Sequence, residues 1–146
     1  MELKPYKLVL SSGSPRRSEL LRMAQIDFTI RTIETDESFP EALDISKVAE
    51  YIAIQKAEVH SDSISEDEII LTADTVVAFE DTIYGKPKSK EEAVQFLTTF
   101  SDNVHQVYTG FCLMSSKNKL TKTVKSEVKF STISASEANY YIDKFN

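Results

Sequence analysis

The spacing of apolar positions changes several times along the chain, and each change marks an element. The short apolar run in residues 7–11 predicts a buried strand. Leu20, Leu21 and Met23 then recur at helical spacing and predict an amphipathic helix over 15–24, with Ser14 as N-cap and Pro15 at the first helical position. Residues 27–33 predict a second strand, followed by a polar loop holding Glu34, Asp36, Glu37 and Pro40. Ile45, Val48, Ala49 and Ile52 share one face of a helix over 44–60, and an acidic loop covers 61–68. The stretch 69–79 is a strongly apolar strand broken only by Thr72, Asp74 and Thr75, and Glu80 with Asp81 turns it into a strand at 82–84. Ser89 with Glu92 forms a capping box for a helix facing inward through Ala93, Phe96, Leu97 and Phe100. Strands at 105–114 and 119–131 pair across Ser116 to Asn118, with Leu120, Val124, Val128 and Phe130 on one face. Ser134 with Glu137 caps a last helix carrying Ala138, Tyr141, Ile142 and Phe145. Hairpins alternate with crossovers, so the expected fold is mixed α/β, with a mixed twisted sheet flanked by helices.

Composition narrows the class. A chain of 146 residues, 41% apolar and 27% charged, is expected to form one domain over 1–146 with its own core. No apolar run approaches the roughly 20 residues a membrane helix needs, and the stretch Met1 to Ser12 is too short in apolar residues for a signal peptide. The single cysteine, Cys112, excludes an internal disulfide framework and fits a reducing cytoplasm; its apolar neighbours Phe111 to Met114 mark it as a buried thiol. Seventeen basic against 23 acidic residues, a net charge of −6, disfavour a general nucleic-acid surface. A small phosphate ligand stays open, given a local basic pocket and preferably a bridging metal ion.

Residues 8–21, LVLSSGSPRRSELL, concentrate the candidate chemistry. A buried strand runs into a small-residue turn, Ser11 to Ser14, whose free amides would meet the positive end of a helix carrying Arg16 and Arg17. Ordinary helix capping accounts for the same residues equally well. Asp74 stands among apolar neighbours, where a carboxylate is costly unless it is paired, ligates a metal or is bonded to backbone amides. Lys56 falls on the inward face of its helix, four residues after Ile52, and either snorkels out or meets an anion. Lys86 is held in the rigid turn Gly85 to Pro87. His60 and His105 lie in no metal-ligand spacing, and a structural hydrogen-bonding role is expected for His105. P-loop, dinucleotide and nucleophile-elbow motifs are absent.

Taken in order, SGSPRRSELL, TDES at Thr35 to Ser38, QKA at Gln55 to Ala57, ADTVV at Ala73 to Val77, YGKP at Tyr84 to Pro87 and HQVYTG at His105 to Gly110 resemble the Maf family over nearly the whole chain. The resemblance implies a mostly antiparallel sheet of the inosine triphosphate pyrophosphatase type. It also implies hydrolysis of a nucleoside triphosphate to the monophosphate and pyrophosphate, with the pattern nearer to members acting on dTTP and UTP. It assigns catalysis and divalent metal, magnesium or manganese, to Asp74 and Glu37, with Asp36 as the alternative to Glu37. Phosphate binding falls to Ser12, Arg16, Arg17, Lys56 and Lys86, and substrate choice to Arg16 and Thr75. Because the family is also linked by name to septum formation, a nucleotide-binding regulator of cell division without turnover stays open, as does another metal-dependent enzyme on phosphate esters. Family members continue past the helix ending here at Phe145 and Asn146. A truncated chain is therefore expected to expose the apolar stripe of that helix and to be open to homodimerisation.

Overall fold

The computed structural model describes residues 6–145; residues 1–5, part of the stretch read above for a leader, and residue 146 lie outside the described residues. The element order is β1 (Lys7–Leu10), α1 (Pro15–Met23), β2 (Phe28–Ile30), α2 (Ile45–Glu58), β3 (Glu68–Phe79), β4 (Thr82–Tyr84), α3 (Lys90–Phe100), β5 (Val104–Met114), β6 (Lys119–Lys129) and α4 (Ala135–Phe145). The strands form one mixed, mostly antiparallel sheet in the order β2-β1-β3-β5-β6, with β4 on β3. β1 lies parallel to both β2 and β3, while β4 returns antiparallel to β3 with Phe79 opposite Thr82. Glu80 and Asp81, at φ 46° and 59°, both adopt the left-handed conformation that a two-residue hairpin turn needs to match strand twist.

The chain divides into two compact units, residues 1–75 with 109–124 and residues 76–108 with 125–146, and β3, β5 and β6 run on from one to the other. In the first unit the fully buried side chains include Val9, Leu10, Val48, Ile70 and Cys112. The α2 backbone lies directly on β5 at Gly110, where an added Cβ would collide with backbone atoms of Ala49 and Glu50. Burial pushes the Cys112 thiol up to about 11, which keeps it protonated and inert. The second unit is built on aromatic packing. Tyr84 meets Phe96 and Phe100 edge-on, and His105 stacks on Phe100 at 4.4 Å.

Several local expectations change. Ser14 offers α1 no side-chain cap; its own N–H donates to Ser12 Oγ at 3.2 Å. Of α1 only Ser18 is buried, leaving Leu20 and Met23 exposed, so the helix is not amphipathic in use. Glu92 completes its box by accepting from Lys88 N–H rather than Ser89 N–H, whereas Ser134 and Glu137 exchange bonds reciprocally. Leu120 and Val124 of β6 are exposed; the opposite face presents Thr121 and Thr123, whose hydroxyls donate to the two oxygens of Glu50 at 2.8 and 2.7 Å. His105 is held by ring packing, with Nδ1 buried and unpartnered, instead of by the expected hydrogen bond.

Candidate functional site

Within the first unit, β1 ends where its hydrogen bonding does. Ser11 N–H donates to Leu71 O at 2.9 Å, after which the chain leaves the sheet through Ser12 and Gly13 into α1. A Cβ at Gly13 would meet nothing within 4 Å, so the turn opens on free space. Arg17, one turn into α1, fastens it to β3: Nη1 donates to Ser12 Oγ at 3.1 Å and Ala73 O at 2.8 Å, and Nη2 to Thr75 Oγ1 at 3.4 Å. Burial lowers the pKa of this guanidinium, partly offset by the Asp74 carboxylate. Thr75 also shares a hydrogen bond of 3.2 Å with Thr109 on β5. Arg16 faces solvent.

Lys56 lies near the C-terminal end of α2, where Val48, Ala49, Ile52 and Ala53 pin the helix to the core. Its Nζ sits 2.8 Å from Asp74 Oδ1 and 2.7 Å from Glu37 Oε1. Lys56 and Asp74 keep only 17% and 15% of their side-chain exposure, so this ion pair is shielded far more than a surface one. Glu37 reaches in from the long loop between β2 and α2, while Asp36 accepts from Ser38 in the same loop. Two carboxylates and an ammonium thus meet at one point.

That point borders a cavity of about 430 Å³, within the usual range for small-molecule sites. Ser11, Ser12 and Gly13 line one side, Thr32 to Thr35 another, with Glu37 and Lys56 between. Ser12, Glu37 and Lys56 from the sequence expectations line it directly, Asp74 is tied to Lys56 and Arg17 to Ser12, and Thr75 is joined only through Arg17. Lys86 belongs to the second unit, exposed in the loop after β4. Of the wall Thr32 to Thr35, Thr32 and Ile33 were not legible as part of a site, because a strand was expected to run to residue 33 and β2 in fact ends at Ile30.

The family model described as Maf-like protein matches residues 7–146. The chain belongs to the Maf family. Among its curated Maf relatives, a dTTP/UTP pyrophosphatase from Parabacteroides distasonis is 44% identical over 144 residues, covering 98% of this chain and 75% of the relative. One of the same name from Bacteroides thetaiotaomicron is 38% identical with the same coverage. The solved Ham1 protein of Staphylococcus aureus aligns with a TM-score of 0.54 at 17% identity, over 84% of this chain and 69% of that one, which places this Maf chain in the same fold.

Proposed function

We propose that this Maf chain hydrolyses a nucleoside triphosphate, dTTP or UTP by preference, to the monophosphate and pyrophosphate. The observation carrying the reading is the ammonium of Lys56 held between Asp74 and Glu37 at the edge of a cavity lined by the Ser11–Gly13 turn. The names of its relatives support the reaction and the two bases. Among the described residues no group of three metal-ligating side chains occurs. Asp74 and Glu37 nevertheless converge on one cation, and two carboxylates completed by substrate phosphates and water suit magnesium. A bound divalent ion would supply charge neutralisation at the phosphates.

In the proposed reaction, water bonds to the α-phosphorus as the bond to the β-phosphate oxygen breaks, and pyrophosphate leaves with the electron pair. Asp74 takes the proton from the water, Lys56 holds the carboxylates in place, and Ser12 contacts the phosphates. No helix among the described residues is long and apolar enough to cross a membrane, and the reading carries a cytoplasmic setting, where such nucleotides occur.

The test is a product assay over common and modified nucleoside triphosphates. Pyrophosphate and monophosphate, lost with excess chelator and restored by magnesium, are expected. Orthophosphate and a diphosphate would overturn attack at the α-phosphorus, and nucleotide binding without turnover would make the chain a sensor.

A further inference from the structure

His60 occupies the turn after α2, with no exposed surface, and its Nε2 lies 2.8 Å from the hydroxyl oxygen of Ser11. Its other ring nitrogen, Nδ1, is buried too and has no partner. A neutral imidazole carries one proton, and the two nitrogens differ in what they would do with it. On Nδ1 it would be a buried N–H without an acceptor, the rarer and costlier kind of unsatisfied group. On Nε2 it is donated to Ser11 and leaves only a lone pair unfilled at Nδ1. The ring is therefore the Nε2–H tautomer, and burial together with the Arg31 guanidinium opposes a second proton.

Ser11 then accepts from His60 and must place its own hydroxyl proton elsewhere. Its backbone N–H already donates to Leu71 O, and among the described residues no other acceptor bonds the hydroxyl. Ser11 lines the cavity. We propose that His60 is a positioning residue that makes Ser11 an obligate hydrogen-bond donor into the cavity, and that Ser11 is a further contact for a phosphate-bearing ligand. A hydroxyl that accepts from one partner is a stronger donor to the next, which suits an anionic oxygen. Ser12 Oγ accepts as well, from Ser14 N–H and Arg17, and its hydroxyl proton is likewise left to donate. The inference rests on the pyrophosphatase reading for the identity of the ligand only.

The experiment measures tripolyphosphate binding to the full chain by calorimetry for the parent, Ser11→Ala, His60→Leu, His60→Gln and the Ser11→Ala/His60→Leu pair. Nitrogen NMR of labelled histidine reads the His60 tautomer in the parent. Ser11→Ala and His60→Leu should each weaken binding about tenfold, the scale of one hydrogen bond to a charged group. The double variant should bind no more weakly than Ser11→Ala, and His60→Gln, which keeps an N–H donor, should stay within about threefold of the parent. A proton on Nδ1, parent-like binding by Ser11→Ala or His60→Leu, or losses that multiply in the pair would overturn the proposal. If His60→Leu fails to fold, the tautomer and Ser11→Ala decide. A parent chain that binds tripolyphosphate yet releases no pyrophosphate defeats the proposed function while leaving this inference standing; one that binds none yet releases pyrophosphate from a nucleoside triphosphate defeats this inference and leaves the proposed function standing.

Discussion

Asp74 is a carboxylate inside a strand whose neighbours Ile70, Thr72, Ala73 and Val76 are all buried, and it is paired with an ammonium brought in from another element. Its oddity was visible in the chain as an acid in an apolar run; its partner was not, because Lys56 lies 18 residues away on a different element. Glu37 was harder still, one acid in a loop of several, and only folding separates it from Asp36, which turns back on Ser38. Arg17, expected at the phosphate turn, directs three of its N–H groups at Ser12, Ala73 and Thr75, a use of the guanidinium fork that sequence spacing cannot reveal. Asp74→Asn keeps the volume while removing charge and basicity, so turnover should fall at least about 100-fold with the circular dichroism unchanged. Activity within about threefold of the parent, about 0.7 kcal/mol, would remove Asp74 from the mechanism.

At the scale of elements, α2 and β3 were legible because their apolar periods are long and unmixed, and both appear within a residue or two of the expected bounds. β2 stops at Ile30, where its pairing with β1 ends, short of the expected residue 33, and for β6 alternation says which residues share a face but not which face has a partner. On β6 the polar Thr121 and Thr123 turn toward Glu50, and the apolar Leu120 and Val124 turn away. The seam between α2 and β5 is tight, since backbone approaches backbone at Gly110. Gly110→Ala forces the helix outward, because none of the three nearest atoms is the movable end of a side chain. The expected loss is at least about 2 kcal/mol of unfolding free energy, measured by urea titration. Since Lys56 rides on that helix, pyrophosphate release should fall further than the folded fraction does.

Over the whole molecule, mild acid acts first through two histidines. Burial lowers the pKa of His60 and of His105 below the ordinary 6.5. The unfolded chain therefore binds protons that the folded one refuses, and unfolding gains as pH falls. Stability should be complete above about pH 6.5 and decline below it, down to the folded pKa values, by up to about 1.4 kcal/mol per pH unit for each histidine. Melting temperature against pH in the parent and in His105→Phe, which keeps the stack on Phe100, measures this: the variant should show the shallower slope. A second consequence concerns the chain as a colloid. Leu120 and Val124 on β6, and separately Tyr140, Tyr141 and Phe145 on α4, face solvent. At neutral pH a net charge of −6 sets up repulsion between copies that opposes contact through those side chains. The isoelectric point is about 5.0, within the acid range where the histidines begin to favour the unfolded chain. Repulsion and folding stability thus weaken together, and a purification that drifts from pH 7 toward pH 5 should cloud well before the native chain reaches its melting temperature.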